Sequence, residues 1–195
     1  MEFIEAESKE KQRIFDIALA LMESVGYEKL SVRQICDEAD ISIGKFYRCF
    51  NSKQQLLNFV FSRFVHLFHV QISSELEDME IWDQIITVYV RYTAYITGFG
   101  IDFVKNFYNS NNPMLDTHIY NNEIIVITDG LIARAIQKGL RVRADRSIRE
   151  ISQDFCVIVK GIIFEWCIRR GEFNIAEYTE RLLRTTAKSI LSLEK

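Results

Sequence analysis

The stretch Tyr27–Leu57, YEKLSVRQICDEADISIGKFYRCFNSKQQLL, decides the fold. Ser31 opens a short helix and Gln34 stands three residues on, the spacing at which cap side chain and backbone satisfy each other as a capping box. Val32, Ile35, Cys36 and Ala39 then share one face at helical spacing. Asp40-Ile41-Ser42 breaks the pattern with short polar groups suited to a turn and a new cap. A second short helix, Ile43 to Phe50, carries Gly44, Lys45 and Tyr47 beside an inward Phe46 and Phe50. Ser52 and Gln55 repeat the capping-box spacing and open a long apolar helix at Lys53. Two short helices joined by a three-residue turn, the second ending in a basic aromatic cluster, have the layout of a helix-turn-helix. The second helix of such a unit can enter a DNA major groove.

Upstream, Ile14, Phe15, Ala18, Leu21 and Met22 recur at helical spacing and predict a helix from about Lys9 to Val25, stopped by Gly26. The acidic residues 1 to 7 are expected to fray. This helix would brace the two already read into a three-helix head. Downstream, Leu56, Leu57, Val60, Phe64, Leu67, Phe68 and Ile72 extend the fourth helix to about Glu77, so it links the head to the rest of the chain. His66 and His69 lie three apart on it, but no Cys, Asp or Glu at ligand spacing completes a metal site, and no metal or other cofactor is expected.

The chain has 195 residues, nearly half hydrophobic, with a single proline (Pro113) and sparse glycine, which favours long helices over a turn-rich sheet protein. The fold expected is all-α with about nine helices: an N-terminal head over residues 1–52 and a larger helical domain over 53–195. Cys36, Cys49, Cys156 and Cys167 show no CxxC spacing and no secretory signal precedes them, so reduced thiols in a cytoplasm are expected. No apolar run approaches the roughly 18 residues that suggest a membrane span, and no membrane partner is expected. A net charge of −3 does not advertise nucleic acid. Local sign does: Ile41 to Lys53 holds Lys45, Arg48 and Lys53 and no acid.

The opening stretch resembles the N-terminal domain of the TetR family of transcriptional regulators. The match runs through Ile14, Ala18, Leu21, Gly26-Tyr27, Leu30-Ser31-Val32, Ile35, Ala39, Ile41-Ser42, Gly44, Phe46-Tyr47, Phe50, Ser52-Lys53 and Leu56-Leu57. Three positions depart from the family pattern: Cys36 stands for an alanine, Asp40 for the turn glycine and Cys49 for a histidine or aromatic residue. Asp40 tolerates a left-handed backbone almost as glycine does. The resemblance implies a homodimeric regulator of double-stranded DNA, a repressor released from its operator by a small apolar or amphipathic ligand. Ser42, Ile43, Gly44 and Lys45 are then expected to reach base edges, and Tyr47, Lys53 and Ser31 to meet phosphates, with Arg48 open between phosphate and solvent.

Between Ile81 and Leu115 only four residues are charged, yet Trp82, Tyr89, Tyr92, Tyr95, Phe99, Phe103, Phe107 and Tyr108 all fall there. Buried phenols need partners, so this group suits a cavity with a few polar tips as well as an ordinary core. The resemblance implies a ligand pocket here, for which the candidates are Phe64, Phe68, Trp82, Tyr89, Tyr92, Phe103 and Phe107. His118, Glu123 and Phe164 complete the set. Asn109-Ser110-Asn111-Asn112-Pro113 is the clearest loop. A helix kinked near 121–122 follows to about Lys138, capped by Gly139, and the basic link 141–146 is read as solvated. Ser147 with Glu150 caps a helix to about Arg170, and the last helix runs from Asn174 to Leu193. By resemblance these two pair with their copies, offering Phe155, Ile158, Val159, Ile162, Trp166, Tyr178, Leu182 and Thr186 as the dimer interface.

No GxSxG elbow, phosphate-cradling glycine loop or HExxH occurs, and no enzymatic activity is expected. Two other readings stay open: a DNA-binding protein of this family with no effector, its aromatics being core, and a redox sensor acting through Cys49.

Overall fold

The computed structural model describes residues 2–109, 123–139 and 145–191. Among the described residues all regular structure is helical. The order is α1 (Glu2–Val25), α2 (Val32–Ala39), α3 (Ile43–Cys49), α4 (Lys53–Leu67), a π-helical turn (Phe68–Ile72) and α5 (Ser73–Glu75). There follow α6 (Ile81–Thr97), α7 (Ile101–Phe107), α8 (Glu123–Gln137), α9 (Ile148–Ile168) and α10 (Ile175–Leu191). The π turn joins α4 and α5 into one rod, so the ten α segments make nine rods among the described residues, against about nine helices expected from sequence.

The caps explain why the elements start where they do. Ser31 Oγ accepts from Gln34 N–H at 3.2 Å while Gln34 Oε1 accepts from Ser31 N–H at 2.8 Å, closing the expected box. Asp40 adopts the left-handed region (φ 50°, ψ 52°), and Ile41 N–H reaches back to Cys36 O at 3.0 Å, so α2 ends in a tight turn without glycine. Ser42 Oγ accepts from Lys45 N–H at 3.1 Å and starts α3. At α4 the expected box is displaced: Ser52 Oγ accepts from Gln55 N–H, but Gln55 Oε1 takes the N–H of Asn51 at 2.6 Å rather than that of Ser52. Ser147 and Glu150 close a complete box at α9. Each such cap contributes about 1 kcal/mol.

Two boundaries differ from expectation. The first helix begins at Glu2 instead of Lys9; no glycine or proline interrupts its opening turns. The fourth helix is interrupted by the π turn, which inserts a residue and turns the side chains beyond Leu67 away from the frame set by Lys53. The expected loop at 109–113 beyond its first residue, the kink at 121–122, His118 and most of the link at 141–146 lie outside the described residues.

The head closes around Ile14, Phe15, Ala18, Leu30, Ile35, Phe46, Phe50, Leu56 and Leu57, none more than 2% exposed. Full burial of each large side chain stabilises by about 1.5–3 kcal/mol. Phe59 of α4 stacks edge-on against Phe15 and Phe50 at 5.1 and 5.8 Å, so the first turns of α4 belong to the head core. In the body, α6 lies at the centre, with α10 packed along it and α9 between α8 and α10. No described helix is long and apolar enough to cross a membrane.

Candidate nucleic-acid interface and aromatic interior

The outer face of α3 is built by what the inner face buries. Phe46 is fully buried and Phe50, its cap residue, is too, which turns Ile43, Gly44, Tyr47 and Arg48 outward while Cys49 packs partly against the core. Ile43 is 50% exposed and Tyr47 49% exposed, large apolar surface that folding leaves uncovered. Gly44 is exposed, and a Cβ built on it would meet nothing nearer than Ser42 Oγ at 3.9 Å. The head itself therefore imposes no steric demand for glycine there. Ser42 Oγ only accepts within the cap, leaving its hydroxyl proton to donate outward. Arg48 is exposed and forms no ion pair among the described residues.

Three expected contacts look different in three dimensions. Ser31 Oγ donates to Gln34 Oε1 at 2.8 Å, so its hydroxyl proton is engaged by the cap. Lys53 is engaged within the head. Its Nζ donates to Tyr27 O and Leu30 O, both at 2.8 Å, and lies 4.2 Å from the centre of the Tyr27 ring. Burial pushes its pKa down. The ammonium clamps the α1–α2 connection, whose carbonyls would otherwise lack donors. Lys45, third, meets an acid that its neighbours in sequence do not supply: Glu10 of α1 lies 2.7 Å from its Nζ. Hydrogen bonds from Arg13 and Lys45 hold the Glu10 carboxyl down to about 2. Sequence reasoning missed Glu10 because only the crossing of α1 over α3 brings it there.

In the body, rings touch in an unbroken series. Phe64 of α4 meets Tyr92 and Tyr95 of α6 at 5.1 and 5.5 Å; Tyr95 meets Phe99 at 5.0 Å. Phe99 meets Phe103 at 4.9 Å, Phe103 stacks on Phe107 at 5.9 Å, and Phe107 meets Tyr108 at 5.1 Å. The hydroxyls of Tyr92 and Tyr108 hydrogen-bond to each other. The Tyr95 hydroxyl is buried with no partner among the described residues, and burial pushes its pKa up to about 12. Tyr95, Phe99 and Tyr108 stood outside the expected ligand set, yet their place in the series is as central as that of its members.

The remaining candidates scatter. Tyr89 is fully buried against Phe155, its hydroxyl accepting from Thr128 Oγ1 at 3.2 Å. Phe68 is buried in the π turn and Trp82 is half-buried near the far end of α6. Glu123 begins α8, but its side chain is not among those described. Phe164 does not join the rings: it is 61% exposed on the outside of α9. A cleft of about 840 Å3 opens at the far end of α6, between Glu77–Ile81 and Arg134–Gly139, bordering none of the rings in the series.

Beyond the first turns of α4, the head meets the body at an ion pair and at a close approach. Asp16 of α1 pairs with Arg63 of α4 at 2.9 Å, near the Tyr95 hydroxyl. A Cβ on Gly26 would stand 3.4 Å from Asp102 Oδ2 at the start of α7.

The α9 expectation requires correction. Phe155, Val159 and Ile162 are at most 3% exposed inside the chain's own core, so they have no surface for a partner. The outward stripe is Val157, Gly161, Phe164 and Ile168, with the three large residues 58%, 61% and 59% exposed. The i, i+4, i+7, i+11 spacing of this stripe was readable, but two apolar faces compete on one helix and periodicity does not say which is inward. Ile158, Trp166, Tyr178, Leu182 and Thr186 are half-buried. Among the cysteines, Cys36, Cys156 and Cys167 are buried and burial raises their pKa, which disfavours the reactive thiolate.

Residues 14–60 match the family model described as bacterial regulatory proteins, tetR family. The transcriptional repressor KstR of Mycobacterium tuberculosis is 40% identical over 53 residues, 27% of this chain and 24% of that protein. KstR of Mycolicibacterium smegmatis is 40% identical over 53 residues, 27% and 26% of the two chains. The match thus spans about a quarter of these relatives' length. Over the whole chain the fold is shared with solved structures. FadR of Thermus thermophilus, a TetR-family transcriptional repressor in complex with lauroyl-CoA, is 17% identical over 95% of this chain and 97% of that one, with a TM-score of 0.70. FadR of Bacillus subtilis in complex with stearoyl-CoA is 18% identical over 93% and 97%, with a TM-score of 0.64. TylP of Streptomyces fradiae, a TetR regulator, is 18% identical over 96% and 92%, with a TM-score of 0.62.

Proposed function

The chain carries the N-terminal domain of the TetR family, and from that premise we propose that it is a homodimeric DNA-binding transcriptional repressor that an apolar or amphipathic effector releases from its operator. Residues 1–52 form the reading head and residues 53–195 the effector-binding and dimerisation domain, with α4 shared between them. The observation that carries this reading is the outer face of α3. Ile43, Gly44, Lys45, Tyr47 and Arg48 stand outward on a head fixed by serine caps and a closed core. Ser42, Ile43, Gly44 and Lys45 read base edges; Tyr47 and Arg48 meet phosphates, and Lys53 holds the frame that aims them.

Dimerisation uses the outer stripe of α9. Three large exposed apolar residues in line, with open space above Gly161, suit close contact with a second copy of the same helix. The half-buried Ile158, Trp166, Tyr178, Leu182 and Thr186 form the rim.

The effector enters among Phe64, Tyr92, Tyr95, Phe99, Phe103 and Phe107, where apolar faces carry phenol tips. The acyl-CoA ligands of the two FadR proteins support an acyl chain as the effector class. Because Phe64 rides on α4, a ligand that parts these rings shifts the rod whose first turns belong to the head. It does so only by its differential affinity for the two arrangements. A second reading has its own support: the rings are already in contact, which suits a regulator with no effector.

Selection of binding sites from random duplex DNA tests the proposal. An inverted repeat with half-sites about one helical turn (~34 Å) apart is expected, and no enrichment contradicts it. Adding acyl-CoA to the selected complex separates the two readings: release supports the sensor, and unchanged affinity across chain lengths supports the effectorless regulator.

A further inference from the structure

The reading helix has one cation whose charge is already answered inside the chain. Lys45 Nζ lies 2.7 Å from Glu10 Oε1. The same carboxylate is gripped from its other side, Arg13 Nε donating to Oε2 at 3.1 Å and Arg13 Nη2 to Oε1 at 2.9 Å. Arg13 is itself anchored, Nη1 donating to Ala39 O at the end of α2 at 3.0 Å. Three elements, α1, α2 and α3, are thus tied through one acid. The Glu10 carboxylate offers Lys45 the same kind of ligand, an anionic or polar oxygen, that DNA would offer.

Building on the assignment of α3 as the DNA-facing helix, we propose that Glu10 is an internal competitor for DNA: it holds Lys45 in the free protein, so this cation is given up only in exchange for a DNA oxygen. The geometry makes the exchange reversible. When Lys45 leaves, Arg13 keeps its hydrogen bonds to both carboxylate oxygens, so neither loses every donor, while the Glu10 charge is left less compensated. Lys45 and Glu10 keep 41% and 25% of their side-chain surface in water, so the pair is weak enough to open. Its consequence is a head with lower affinity for arbitrary DNA than its count of bases implies.

Counterion release gives a signature that a merely structural ion pair lacks. In the wild type, a Lys45 that moves to a DNA oxygen leaves the Glu10 charge less compensated, so cations drawn to Glu10 offset part of the counterion release. With Glu10 neutralised, the same contact releases counterions without that offset, steepening the slope of log K against log salt by up to about 0.9 per head. Removing an exposed competitor of this kind raises affinity by about two- to fivefold per head.

The test is titration of labelled random-sequence duplex over a series of salt concentrations, followed by fluorescence anisotropy. The proteins are wild type, Glu10→Gln, Lys45→Ala, the double variant, and Asp37→Asn, which removes an exposed acid of α2 that does not touch Lys45. Expected are tighter binding and a steeper slope for Glu10→Gln, both lost in the Lys45→Ala background, and a smaller change for Asp37→Asn. Equal slopes for wild type and Glu10→Gln overturn the proposal, as does an effect that survives loss of Lys45 or is reproduced by Asp37→Asn. A wild-type protein that binds no duplex at low salt overturns the DNA-facing assignment of α3 itself, a result distinct from all of these.

Discussion

Gly44→Ala separates what α3 does for the fold from what it does for DNA. The added Cβ meets only Ser42 Oγ, at ordinary contact distance, 3.9 Å. Alanine also loses less backbone entropy in a helix, so the head should gain up to about 0.5–1 kcal/mol, toward the lower figure in the first turn. For a chain of this length that raises the melting temperature by about 1–3 °C. DNA binding moves the other way. A methyl standing between helix backbone and base edges costs about 1–3 kcal/mol of lost packing at each head. Two heads at the lower value give about 2 kcal/mol, roughly a thirtyfold rise in Kd. Thermal unfolding and anisotropy titration against a selected duplex read both quantities from one preparation. An alanine variant that melts higher and binds the duplex as tightly as wild type would falsify the close approach of this backbone to DNA. A drop in melting temperature would instead reveal a packing role for Gly44.

Other residues make separable predictions. Lys53→Ala removes two charge-assisted hydrogen bonds to Tyr27 O and Leu30 O and should lower stability to urea by about 1.5–3 kcal/mol; a variant as stable as wild type would contradict the clamp. Phe164→Asp should leave monomer stability nearly unchanged, since the side chain is 61% exposed, while sedimentation reports a monomer; a persistent dimer refutes the α9 interface. Burial raises the pKa values of Tyr89, Tyr92 and Tyr108 above those of unfolded phenols. Above about pH 10 the unfolded chain loses these protons first, so their contribution is present below that pH and is lost as pH rises. Ultraviolet phenolate absorbance should lag until the chain unfolds; smooth titration of all phenols in the folded protein contradicts their burial.

The head was legible in the sequence because its signals are local. Ser31, Ser42 and Ser52 act within three residues of themselves, and Asp40 needs only its own backbone preference. What was not legible depends on crossings between helices. The resemblance sends Lys53 to phosphates, and nothing nearby in sequence says that Tyr27 O and Leu30 O will lie beneath it. Glu10 and Lys45 are 35 positions apart and meet only because α1 crosses α3. The π turn after Leu67 has no strong sequence signal, since Phe68–Ile72 contains neither glycine nor proline. On α9, Phe155 and Phe164 head two apolar stripes of similar strength, and only the packing of α8 and α10 decides which stripe is inside.

The central claim is that α3 is the element that meets DNA, and amide hydrogen exchange with and without a selected duplex tests it most directly. Slower exchange is expected across Ser42–Phe50 in the complex, with the α9 amides from Ile148 to Ile168 little changed. Protection that appears elsewhere while Ser42–Phe50 exchanges as in the free protein would contradict the account.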